Sequence, residues 1–210
     1  MQNLTIVLLQ TDIHWKSPAK NRHAFEPSIL KCEEQVNAIC LPEMFTTGFH
    51  ANPDSIAEEP NGSTVEWMHS MAQKTGKAIS GSIIVKENNA FYNRFYWINP
   101  DHSEFQYDKK HLFAFGDEHL RYSQGKQRVI IPFMGWNIMP QICYDLRFPV
   151  WSRNKFMNDQ YEYDMLLYSA NWPASRAYQW RQLLIARAIE NQCYVAAVNR
   201  IGTDGNQIDY

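Results

Sequence analysis

The chain has 210 residues, of which 45% are apolar and 20% charged, ordinary usage for a globular protein that excludes a disordered one. Its formal net charge is −2, and its lysines and arginines are scattered without a basic run, so neither nucleic acid nor an anionic membrane surface is an expected partner. Its four cysteines, Cys32, Cys40, Cys143 and Cys193, form no C-x-x-C pair, which argues against a zinc site or a disulfide framework.

Leu4 to Gln10 is a continuous apolar run of the kind buried on both faces, and it predicts a central strand. It has neither a charged leader nor a small-residue cleavage site, and no apolar run approaches roughly 18 residues, so a cytoplasmic setting is expected. Asn21 to Glu34 carries a helical pattern that Pro27 must start or kink. Ala38 to Leu41 is a short buried strand running into Pro42 and Glu43. Ser63, Thr64, Val65 and Glu66 spell a capping box, which predicts a helix that stops at Gly76. Ala78–Val85 and Phe91–Ile98 are expected to form a hairpin, and Glu104–Asp108 a further strand delivering Lys109 at its end. Arg128–Phe133 and Trp136–Ile142 flank a Met134-Gly135 turn, and the second leads to Cys143. A short helix over Arg147–Asn154, a strand over Tyr163–Ala170, a helix over Ala177–Asn191 and a strand from Tyr194 to Val198 complete the pattern. Alternating strands and helices without a linker or repeat predict one layered α/β domain over residues 1–210.

Glu43, Lys109 and Cys143 each follow a strand-like run, so three strand ends can meet at one sheet edge, where open α/β sheets carry their sites. The set is complete for acyl transfer: a thiol attacks, a carboxylate takes its proton, and an ammonium steadies thiolate and oxyanion. A strand-to-helix bend with free N–H groups would favour thiolate at Cys143. Taken singly, Cys143 reads as readily as a buried small apolar residue, Glu43 as a surface acid and Lys109 as a solvated lysine. Only their conjunction points to chemistry. His50, His69, His102, His111 and His119 show no H-E-x-x-H or comparable spacing, so no metal is expected.

Leu41-Pro42-Glu43-Met44-Phe45, Tyr107 to Phe113 and Cys143 to Pro149 resemble, in order, the three signature segments of the nitrilase (carbon–nitrogen hydrolase) superfamily. Asp117 to Leu120, Ala170 to Pro173 and Ala186 to Gln192 are similar to its bacterial ω-amidases. The resemblance implies an αββα sandwich, a homodimer, no cofactor, and hydrolysis of a small α-keto acid amide such as 2-oxoglutaramate. It implies Glu43 as general base, Lys109 as catalytic lysine and Cys143 as nucleophile. Lys110 is set aside, because only Lys109 stands two places before His111 in the lysine-any-histidine-leucine pattern. Glu118 matches a second glutamate that positions substrate and lysine, and the Tyr144 N–H would join Lys109 in an oxyanion hole. For the substrate carboxylate Arg176 is the preferred cation, with Trp172 as a wall, while Arg147 is expected to brace Asp145 or nearby backbone. The family continues several tens of residues beyond the Asp204-Gly205-Asn206 region, so the sandwich is expected to lack C-terminal strands and a tail. The alternatives are another carbon–nitrogen hydrolase with the same trio, namely a nitrilase, carbamoylase or acyltransferase, or a non-catalytic binding domain.

Overall fold

A computed structural model describes residues 2–157 and 159–210. The chain forms β1 (Ile6–Leu8), α1 (Pro18–Leu30), β2 (Ala38–Cys40), α2 (Ser63–Thr75), β3 (Ala78–Glu87), β4 (Ala90–Ile98) and β5 (Glu104–Asp108). It continues through β6 (Ile131–Phe133), β7 (Trp136–Ile142), α3 (Pro149–Ser152), β8 (Phe156–Met157), β9 (Gln160–Tyr161), β10 (Met165–Ala170), α4 (Ala177–Asn191) and β11 (Tyr194–Asn199). One sheet runs β1-β2-β3-β4-β5 and the second β11-β10-β7-β6. In each, parallel pairs give way to antiparallel ones, at β3–β4 and at β7–β6.

Alternation along the strands builds the layers, because successive side chains leave opposite faces. Ala38 and Cys40 of β2 and Phe95 and Trp97 of β4 point into the core shared with Ile138 and Ile142 of β7 and with Tyr168 of β10. Their neighbours Ile39, Tyr96 and Ile98 face the other way, onto Phe25 and Ile29 of α1 and Met68 and Ala72 of α2. Helix α4 covers the second sheet through Trp180, Leu183 and Leu184. The order helix, sheet, sheet, helix is the expected αββα sandwich. Among the described residues, no helix is long and apolar enough to cross a membrane.

Several local expectations change. The run from Leu4 forms only three strand residues and sits at the end of its sheet with β2 as its neighbour, so Leu8 is partly exposed. An apolar run records side-chain burial but not how many strands flank it. Helix α1 starts earlier, with Pro18 in its first turn, and continues through Pro27. Of Arg128–Phe133 only the last three residues pair. The segment after Cys143 is a 3-10 helix, Cys143–Arg147, followed by the short α3, in place of one helix from Arg147.

The capping box at Ser63 does not form. Gly62 occupies the N-cap of α2 without a side chain to offer, and Glu58 supplies the acceptor from outside the helix. Its Oε2 accepts the Thr64 N–H at 2.7 Å and the Ser63 hydroxyl at 3.2 Å, while Oε1 accepts the Thr64 hydroxyl. A side-chain cap is worth about 1 kcal/mol. Glu58→Ala is therefore expected to lower the Tm by roughly 2–4 °C in a calorimetric scan, with Glu58→Gln, which keeps one acceptor oxygen, losing less. An unchanged Tm for the alanine variant would remove Glu58 as the cap.

Candidate active site

Glu43 follows β2, Lys109 follows β5 and Cys143 follows β7, so both sheets contribute strand ends to one place. Antiparallel pairing of β3, β4 and β5 brings Lys109 back beside Glu43, and its backbone N–H donates to the Asn93 carbonyl of β4 at 2.9 Å. Gly125 fixes the other side of the Lys109 backbone by donating to its carbonyl at 2.9 Å. A Cβ at Gly125 would lie 1.9 Å from the Asp108 carbonyl oxygen, so no side chain fits this crossing.

Lys109 is buried between two buried carboxylates. Its Nζ donates to Glu43 Oε1 at 2.8 Å and to Glu118 Oε2 at 2.9 Å. Glu118 also accepts the Phe113 N–H at 2.6 Å. Glu118 does not line the cavity, and its side chain stands behind the lysine. Asn171, just past β10, completes the setting of Glu43: its backbone N–H donates to Oε2 at 2.9 Å and its Nδ2 donates to the Glu43 carbonyl.

Cys143 opens its 3-10 helix at φ +43°, in the left-handed region that a Cβ disfavours, and Met44 beside Glu43 has the same angle. Asp145 holds the Cys143 bend. Its Oδ2 accepts the Ile142 N–H at 3.1 Å and the Tyr107 hydroxyl at 2.7 Å, and its Oδ1 accepts the His111 N–H at 2.8 Å. The His111 ring nitrogen Nδ1 stands 2.8 Å from the same oxygen, and the ring stacks on Phe148 with centroids 3.8 Å apart. The histidine of the Lys109-Lys110-His111 segment thus ties the lysine loop to the cysteine bend. Arg147 is not among the partners of Asp145. The expected brace is corrected: its guanidinium lies 4.9 Å from the centroid of the Trp172 ring and lines the cavity.

The cavity measures about 400 Å³ and is walled by Phe49, Phe113, Tyr144, Trp172 and Tyr210 among others. Glu43, Lys109 and Cys143 form its floor, and Arg147 and Arg176 both border it. Arg176 sits over the Phe113 ring at 5.6 Å, and its carbonyl accepts the Trp172 indole N–H at 2.8 Å. Among the described residues neither guanidinium has a carboxylate within 4.0 Å. Tyr144 lies in the first turn of the 3-10 helix, where N–H groups have no helical carbonyl to reach.

Burial raises the Cys143 thiol well above its ordinary range, and the Glu43 carboxylate raises it further, against a smaller opposing pull from Lys109. Burial works against the charge on Lys109, but Glu118 and Glu43 outweigh it and keep the ammonium protonated. Burial also raises the Glu118 carboxyl, offset in part by Lys109. Against the expected preference for thiolate, burial and Glu43 favour the neutral thiol, whose Sγ stands 3.7 Å from the Asn171 carbonyl.

Residues 7–210 match the carbon–nitrogen hydrolase family. The chain is 45% identical, over its whole length and 79% of the relative's, to omega-amidase YafV of Escherichia coli K12. It is 38% identical to 2-oxoglutaramate amidase of Bacillus subtilis, over 95% of this chain and 77% of that one. Its structure superposes with a TM-score of 0.97 on a CN-hydrolase superfamily protein from Xanthomonas campestris bearing an arsenic adduct in its active site, at 46% identity over all of this chain and 80% of the other.

A neutral resting thiol has a spectroscopic consequence. The ultraviolet difference between wild type and Cys143→Ala is expected to lack thiolate absorbance at about pH 8, close to the ordinary thiol pKa of about 8.5. Full thiolate absorbance at that pH would show that Lys109, not burial and Glu43, governs the sulfur.

Proposed function

Because this chain belongs to the carbon–nitrogen hydrolase family, whose relatives include amidases, we propose that it releases ammonia from the side-chain amide of a small α-keto acid amide of the 2-oxoglutaramate or 2-oxosuccinamate type. The observation that carries the reading is the placement of Lys109 between two carboxylates at the floor of a cavity that also holds Cys143 and two guanidiniums without carboxylate partners among the described residues.

In this mechanism the Cys143 sulfur attacks the amide carbon while its proton passes to Glu43. The carbonyl oxygen becomes an oxyanion between Lys109 Nζ and the Tyr144 N–H, donors set in advance for charge that develops only during reaction. Collapse of the tetrahedral intermediate breaks the carbon–nitrogen bond, and Glu43 returns the proton to the departing ammonia. A water then attacks the thioester as Glu43 takes one of its protons, and the second collapse frees the carboxylic acid and restores the thiol. The neutral thiol suits this route, because a base has to remove its proton only when the electrophile is in place.

Substrate choice follows from charge. An α-keto acid amide carries one carboxylate, and Arg147 and Arg176 supply two planar donors that match it. Trp172 and Phe113 lie under those guanidiniums, 4.9 and 5.6 Å away, and hold them by cation–π attraction. An α-amino acid amide would add an ammonium beside two cations.

Ammonia release is expected to be fastest from 2-oxoglutaramate in a panel with glutamine, a nitrile and a carbamoyl amino acid; preference for any of the other three would sink the substrate reading. Cys143→Ala should abolish turnover with an unchanged circular dichroism spectrum, and ammonia release by that variant would end the thioester route. Lys109→Ala is expected to lose about 100- to 1,000-fold in kcat, on the scale of an oxyanion donor, with Lys110→Ala within a few-fold of wild type. Arg147→Gln and Arg176→Gln should each raise KM about tenfold or more with smaller changes in kcat, the loss expected for one charge-assisted bond. An unchanged KM in either variant removes that arginine from the carboxylate site.

A further inference from the structure

Asn93 lies in β4, is fully buried, and does not border the cavity. Its single side-chain nitrogen donates to both acids of the site, to Glu43 Oε1 at 2.8 Å and to Glu118 Oε1 at 3.1 Å. Its own carbonyl oxygen, Oδ1, is buried without a hydrogen-bond partner among the described residues. Buried polar atoms are nearly always satisfied, so an amide that leaves its acceptor empty is being held for its donor. The opposite orientation of the amide would turn Oδ1 toward two carboxylates, which fixes the one observed.

Lone pairs then decide where a proton can go. Glu43 Oε1 accepts two donors, Lys109 Nζ and Asn93 Nδ2, both at 2.8 Å, and a carboxylate oxygen has about two acceptor positions. Oε2 accepts one, the Asn171 N–H at 2.9 Å, and keeps a position free. Asn171, which donates its N–H to Oε2, also offers its carbonyl to the Cys143 Sγ at 3.7 Å, so one residue contacts both the sulfur and Oε2. The titratable groups facing Glu43 are Lys109, Glu118, Cys143, Tyr122 and Tyr210, and of these the thiol is the group whose proton the first step has to move.

We propose that Asn93 is a positioning residue of the hydrolytic reaction: by bridging Glu43 and Glu118 it fills Glu43 Oε1 and leaves Oε2 as the one oxygen that takes the Cys143 proton. The assignment rests on Glu43 acting as the base. It gives Asn93 a role distinct from that of Lys109, which meets the same oxygen but also faces the substrate.

The test compares kcat and KM as functions of pH for wild type, Asn93→Leu, Asn93→Ser and Glu43→Gln, using the amide from the panel that wild type turns over fastest. Leucine keeps the approximate shape of asparagine and removes the donor. It is expected to lower kcat about 100-fold, the scale of a misplaced reacting group, with KM within about threefold. The acid limb of the kcat/KM profile should move up by about one pH unit, because a carboxylate that loses a donor binds its proton more tightly. Serine keeps one donor and should fall between leucine and wild type in both quantities, so it decides the matter if the leucine variant does not fold. A wild-type pH profile and kcat in a folded Asn93 variant, or a loss confined to KM, overturns the proposal. Glu43→Gln separates the two levels. If it is inactive while the Asn93 variants match wild type, only the bridge fails, whereas turnover by Glu43→Gln overturns both the bridge and the base on which it rests.

Discussion

One ammonium shared by two carboxylates in a region closed to solvent is the interaction that the surrounding structure has to keep assembled. Withdrawing Glu43, Lys109 and Glu118 from water costs several kcal/mol per ion, and their mutual attraction offsets this only with close geometry and further hydrogen bonds. The further bonds come from neutral donors: the Asn93 amide, the Phe113 N–H and the Asn171 N–H. Loss of any one charged member would leave a buried charge without its counterpart. The group therefore acts as a fastening between β2, β4, β5 and the 3-10 turn at Glu118, as well as the proposed chemical centre.

The second sheet reaches this group through Asp145, an acid with a different task. It joins the bend at Cys143 to Tyr107 and His111, so the sulfur is referenced to the strand that carries Lys109 rather than to its own helix alone. Trp151 donates to the Tyr107 hydroxyl at 3.1 Å and extends the tie into α3. The two sheets are thus aligned at the site by polar contacts of fixed direction, while the apolar layer between them supplies adhesion that is largely indifferent to small slides.

How much of this could be seen in advance depended on whether a residue's role leaves a local pattern. Glu43, Lys109 and Cys143 were visible because each follows a short strand-like run, and β-rich alternation marked the hairpin that brings Lys109 back. Asn93 and Asn171 left no such mark: an asparagine within or just after a strand resembles any polar residue facing outward, and only pairing across the sheets reveals that both point at Glu43. Glu58 escaped for a related reason, since it caps α2 from outside the helix while the capping-box motif describes only residues inside it. Arg147 was misplaced because its neighbour Asp145 offered a plausible partner in sequence, but backbone N–H groups, a tyrosine and a histidine fill that acid in space. The thiolate expectation failed on burial, which a bend in the sequence does not record.

Left-handed backbone at both Met44 and Cys143 bears on how the molecule opens. Such a conformation costs a residue with a Cβ about 1–2 kcal/mol, and the cost is relieved by letting the bend relax while the sheets stay paired. Local opening at the two bends is therefore cheaper than global unfolding. At Met44 the bend is tied to β3, since its own N–H donates to the Ser82 hydroxyl at 2.9 Å and the Phe45 N–H to the Ser82 carbonyl at 3.2 Å.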